Sequence, residues 1–133
     1  AEPVRIPPAA RPLYHTALVH GANHLVTLVG ESAELLRDAG VGDPARLLGP
    51  LLSAALDNAL RHGDRALTGP VARGDAGTVR AHLSVLTKHA PQMLPAYRAL
   101  AARTARRAQD AGLLRPDLAP DVLDAIEGQE DQP

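Results

Sequence analysis

An all-α bundle of about five helices, with one long helix at its N-terminal end, is the fold class this sequence predicts. Three observations carry that expectation. Alanine and leucine supply 25 and 21 of the 133 residues, a composition that favours helix. Apolar residues recur at steps of three and four, whereas strand-like alternation and internal repeats are absent from the sequence. Prolines and glycines stand where helices would start and stop.

Each element follows from its residues. Residues 1–12 carry Pro3, Pro7, Pro8 and Pro12, a density that predicts an extended, non-helical arm or linker. Residues 13–127 read as one helical domain and 128–133 as a flexible tail. From Leu13 to Asp38 there is no proline, and Gly40 falls at a helix C-cap position. Tyr14, Leu18, Gly21, Leu25, Leu28 and Leu35, flanked by Val19, Ala22, Val26, Val29, Ala33 and Leu36, form a broad apolar face on this first helix. Thr16, His20, Asn23, Thr27, Glu34 and Asp38 project within an arc of roughly 60° on its polar side.

Asp43 as N-cap and Pro44 at the first helical position predict a second helix, with an apolar stripe from Leu48 through Leu51, Leu52, Leu56 and Leu60 and an end at Gly63. The stretch Leu67-Thr68-Gly69-Pro70-Val71-Ala72-Arg73-Gly74-Asp75 reads as a break. Asp75 then caps a third helix reaching about His89, with Val79, Leu83 and Leu86 inward. Pro91 allows a fourth helix, whose register runs through Leu94, Tyr97, Ala101, Thr104 and Ala108 to Gly112. A short last helix is expected from about Pro120 to Glu127.

Composition excludes several functions. Without cysteine there is no disulfide, no thiolate metal site and no Cys nucleophile. A formal charge of −1 provides no general attraction to nucleic acid or anionic membrane. Arg98, Arg103, Arg106 and Arg107 make a basic patch, but no aromatic residues interleave with it, and Glu127, Glu130 and Asp131 are available to neutralise it. No apolar run reaches the ~18 residues of a membrane span, and AEPVRIPPAARP lacks the order of a signal peptide, so no membrane partner and a cytoplasmic location are expected. No GxGxxG, Walker or GxSxG motif occurs.

The polar residues that could carry chemistry fall in two places. In TGPVARGD, two glycines, a hydroxyl, a cation and a helix cap lie within eight residues, consistent either with a plain turn and a solvated Arg73 or with a small-molecule contact loop in which Arg73 donates to a carboxylate or phosphate. A carboxylate at Asp75 argues against a pure phosphate cradle. Thr78 and His82 share the face that Asp75 begins. On the first helix, His15 falls on the apolar side beside Val19 and Ala22, as a core histidine or a proton donor facing a cleft. Asn23 follows eight residues on, about 80° around the helix. His20 and His24, four apart, could share a metal, but the HExxH context and a third ligand are missing, so solvated histidines and no metal are expected.

Tyr14-His15, Asn23-His24-Leu25-Val26, the Leu67–Asp75 stretch, Thr78-Val79 and His82-Leu83 together resemble the C-terminal helical domain of Rossmann-like, DUF2520-containing bacterial proteins, from about Arg11 to Gly112. Those proteins are similar to NADP-dependent reductases of the pyrroline-carboxylate, F420-linked and ketopantoate type. Ala22 stands where members of the family often carry serine.

The resemblance implies a dimerising helical domain, like the C-terminal domain of 6-phosphogluconate dehydrogenase. It would close over a carbonyl or imine substrate while NADP or NAD sits mainly in a Rossmann domain absent from this chain. It further implies His15 as general acid or substrate orienter and Asn23 as a hydrogen-bond partner of the substrate. Thr68, Gly69 and Arg73 would contribute to a carboxylate anchor, and Asp75 and His82 would position the loop. On this reading the chain alone has no turnover and the proline-rich start is the exit from the nucleotide-binding half. A helical interaction or ligand-binding module without redox activity is the competing expectation. The apolar excess of the first helix, with small residues at Gly21, Ala22 and Ala33, independently predicts a homodimer through the first and fourth helices.

Overall fold

A computed structural model of the chain describes residues 3–128. Among them there are six α-helices and no strand: α1 Arg11–Asp38, α2 Pro44–His62, α3 Gly69–Arg73, α4 Ala76–His89, α5 Leu94–Asp110 and α6 Ala119–Glu127. Five are full helices and α3 is a single turn, so the all-α expectation holds. The chain divides into two compact units, Ala1–Leu52 and Ser53–Pro133, with the division inside α2 just after Pro50.

In the first unit helical geometry begins earlier than the proline density predicts. Pro8–Ala10 form a 3-10 turn and α1 starts at Arg11 with Pro12 in its first turn. The reason is local: the first N–H groups of a helix have no intrahelical acceptor, so a proline there removes nothing and its fixed φ suits the turn. α1 then runs for 28 residues. It ends where Gly40, at φ +99°, adopts the left-handed conformation; Gly40 N–H donates to the Arg37 carbonyl and Val41 N–H to the Leu36 carbonyl, a Schellman closure.

The expected apolar face of α1 exists, but no residue of α1 is buried. Leu18 is 52% exposed and Val26 71%. Among the described residues of this unit, burial is confined to Pro44 and Leu48 at the start of α2. The α2 stripe is likewise apolar but open: Leu51, Leu56 and Leu60 are exposed and only Leu48 is buried. Periodicity places these leucines on one side of α2; it does not supply what covers them.

The second unit contains the core. α6 packs on α4 and α5, and α3 packs on both of these helices as well. Between them lie Val71, Ala72, Ala76, Val79, Leu83, Ala101, Ala105, Ala108, Leu114, Ala119, Val122, Ala125 and Ile126. More than half of these are alanines, which lets the helix backbones approach closely and explains how a core forms without Phe or Trp. Val79 and Val122 are fully buried at its centre, and Val79, Leu83 and Leu86 face inward as predicted. α5 ends in a second Schellman closure at Gly112, with Leu113 N–H donating to the Ala108 carbonyl.

The basic patch on α5 is dispersed by its packing. Arg107 pairs with Asp64 at 3.1 Å, and the buried Nε of Arg98 has no partner among the described residues. Of the acidic residues expected to neutralise the patch, Glu127 closes α6, while Glu130 and Asp131 lie outside the described residues, as does the tail beyond Gly128. No helix among the described residues is long and apolar enough to cross a membrane.

Candidate functional site

The stretch expected to be a break folds as a one-turn helix, and its ends fix the polar residues. Thr68, in extended conformation, precedes α3, and Gly69 enters it at φ +91°. Pro70 fits the first turn because that turn needs no N–H donor there. After Arg73 the helix is stopped by Gly74 at φ +78°. Gly74 N–H donates to the Val71 carbonyl at 3.1 Å and Asp75 N–H to the Pro70 carbonyl at 2.8 Å, the paired bonds of a Schellman motif. A side chain at Gly74 would meet Leu118 Cβ and Cδ1 at 2.7 Å, so the glycine is required both by its backbone angle and by the closeness of the segment before α6.

Asp75 is the N-cap of α4, as the sequence predicts. Its Oδ1 accepts from the Thr78 backbone N–H at 3.1 Å and its Oδ2 from the Thr78 hydroxyl at 2.7 Å. These two bonds, the hydroxyl's the stronger, hold the carboxyl below the usual carboxylate range, and the positive fields of Arg73 and His82 act in the same direction. Because the folded value is the lower one, the cap's stabilisation is present above the unfolded carboxylate range, near pH 4, and is lost as pH falls through the folded value. Asp75→Ala is expected to lower the melting temperature at pH 7 by a few degrees and to flatten the acid limb of the stability curve. Thermal denaturation between pH 2.5 and 7 checks this, and an acid limb identical to that of the unmodified chain rejects it.

One turn further along α4 the chain supplies a partner that sequence reading did not assign. His82 Nδ1 lies 2.8 Å from the Tyr97 hydroxyl of α5, with the rings edge to face. Burial raises the Tyr97 pKa above its usual value, so the phenol keeps its proton and can donate it to the His82 ring. Tyr97 entered the sequence reading only as a register position. That it is one of two aromatic residues in the chain was the available signal. The second unit thus gathers Thr68, Gly69, Arg73, Asp75, Thr78, His82 and Tyr97 on α3, the start of α4 and α5. Arg73 is exposed, and among the described residues no carboxylate lies within ion-pair distance of its guanidinium.

In the first unit His15 is exposed, not a core histidine. It lines an open depression of about 370 Å³ with Val4, Ile6, Arg11 and Tyr14. The arm that the prolines shape therefore forms one wall, and a guanidinium, a phenol and an imidazole the other. Asn23 is exposed two turns further along α1, with no side-chain hydrogen bond to a described residue. His20 and His24 contact each other through their Nδ1 atoms at 2.9 Å. Among the described residues no group of three or more His, Asp or Glu is placed to hold a metal ion.

Against known proteins, the profile of the family described as Domain of unknown function (DUF2520) matches residues 1–104. The match covers His15, Asn23, the α3 turn, the Asp75 cap and the His82–Tyr97 pair, and the chain belongs to that family. No curated protein and no solved structure matches it.

Proposed function

With membership of the DUF2520 family as premise, we propose that this chain is the dimerising, substrate-closing domain of an NAD(P)-dependent oxidoreductase whose nicotinamide nucleotide is held by a separate Rossmann-type unit. The observation that carries the reading is the mounting of Arg73. The backbone of Arg73 is fixed at the end of a one-turn helix between two positive-φ glycines, its guanidinium is exposed, and the following carboxylate is already engaged by Thr78. A cation so placed keeps its donors for a planar anion, and its rigid support reduces the ordering cost of binding one. Thr68 adds a hydroxyl beside the same turn, while Asp75 and the His82–Tyr97 pair hold it in place.

The nucleotide supplies the hydride. In the second unit Arg73 takes a carboxylate of the substrate; in the first unit His15 and Asn23 carry the proton-donor and hydrogen-bonding roles that the family resemblance implies. The open apolar face of α1 is the surface on which a second copy packs.

The test uses the polypeptide in which this chain is translated, assayed for NADPH or NADH oxidation against carboxylate-bearing carbonyl and imine compounds. Arg73→Ala is expected to raise KM about tenfold, with partial recovery in Arg73→Lys. His15→Ala is expected to lower kcat by about a hundredfold. Full activity in both folded variants overturns the residue roles. Absence of nicotinamide-dependent turnover across the panel favours a binding module without redox chemistry.

A further inference from the structure

On the polar side of α1 the geometry points to a divalent transition-metal site formed by His20 and His24. The two imidazoles stand four residues apart on an uninterrupted helix, both exposed, with their Nδ1 atoms 2.9 Å apart and their rings perpendicular. Metal–nitrogen bonds of about 2.1 Å meeting at a right angle place the two nitrogens about 3.0 Å apart, whereas tetrahedral bonds of the same length require about 3.4 Å. The spacing is nearer the right-angle value than the tetrahedral one, and once the donating ring turns out of the hydrogen bond both lone pairs can converge on an octahedral or tetragonal ion such as Ni²⁺ or Cu²⁺.

In the metal-free pair one Nδ1 proton lies between the rings. Moving it to the solvent-facing Nε2 of the same ring leaves both Nδ1 lone pairs for the ion and changes no net charge on the protein. The surrounding field is suitable: residues 12–36 include Glu31 and Glu34 and neither Lys nor Arg. With no group of three or more ligating side chains among the described residues, water fills the other positions, and the site is open and exchangeable.

Titration of the full chain with NiCl₂ and ZnCl₂ by calorimetry tests the assignment. One equivalent of Ni²⁺ is expected to bind, more tightly than Zn²⁺, and paramagnetic broadening should fall on the His20 and His24 ring signals and not on those of His62, His82 and His89. His20→Ala and His24→Ala should each weaken Ni²⁺ by about tenfold or more, because the second bond of a chelate forms at high effective concentration. The double variant His24→Ala with Thr27→His keeps six histidines but sets the pair about 10 Å apart along the axis, and should bind no better than His24→Ala alone. Equal Ni²⁺ affinity in the unmodified chain and His20→Ala, or broadening spread evenly over all the histidines, overturns the site. Tighter Zn²⁺ than Ni²⁺ overturns the right-angle geometry. All three positions are exposed, and circular dichroism verifies that α1 persists in each variant.

Discussion

Gly74→Ala is expected to destabilise the second unit by about 2–5 kcal/mol, more than a change to alanine at Gly40, Gly63, Gly69 or Gly112, where nothing lies within 4 Å. Two separate costs meet at this position. At φ +78° an L-residue loses roughly 1–2 kcal/mol in the left-handed region. The new methyl group would also lie 2.7 Å from both Leu118 Cβ and Cδ1. Cδ1 can swing away by a rotamer change, but Cβ moves only with the backbone before α6. The overpacking cost is then about 1–3 kcal/mol. Gly69→Ala separates the two contributions: its φ is +91°, yet nothing lies within 4 Å of the added carbon, so it should lose only about 1–2 kcal/mol. Urea denaturation of the two variants, with unchanged m, measures the difference. If Gly74→Ala is no worse than Gly69→Ala, the closeness of Leu118 does not add to the cost of a side chain at this position.

The contrast between those glycines marks what sequence reading reaches. Gly40, Gly63, Gly74 and Gly112 all have positive φ, and three of the four were legible as helix ends because apolar periodicity stops beside them. Asp75 was legible as a cap for a similar reason: the cap acts within three residues, and Thr78 is in the sequence beside it. Pro70 and Gly74, in contrast, read as breakers, and together they bound a single helical turn too short for periodicity to register.

Long-range partners were less accessible. His82 finds Tyr97 fifteen residues on and Arg107 finds Asp64 forty-three residues back, and neither pair has a local signature. The face of His82 on α4 follows from its spacing to Asp75, but its partner depends on how α5 packs against α4. The apolar stripes of α1 and α2 show the complementary limit. Periodicity locates them to the residue, whereas their cover lies in no neighbouring segment that sequence spacing could name.

That uncovered surface leads to the second large effect: replacing Leu18 and Leu25 together with Asp should convert the homodimer proposed above into a monomer. α1 is 28 residues long, so its axis extends about 42 Å, and none of its residues is buried. Seven large apolar side chains along it are exposed: Leu13, Tyr14, Leu18, Val19, Leu25, Val26 and Leu28. An isologous two-fold contact sets the same patch against itself, so each substitution acts twice in the assembly. Gly21 lies between the two leucines with open space around the position of its missing Cβ, which allows a second helix to approach closely along the same line. A central apolar anchor contributes about 2 kcal/mol, and the two substitutions remove four of them from a two-fold contact, about 8 kcal/mol, so association should weaken by roughly a millionfold. Light scattering after size exclusion at micromolar concentration reads the mass of each form directly. The core of the second unit contains neither residue, so its cooperative unfolding should persist in the variant. An unmodified chain that is monomeric at micromolar concentration rejects the dimer outright, and a variant that remains dimeric moves the interface away from this face of α1.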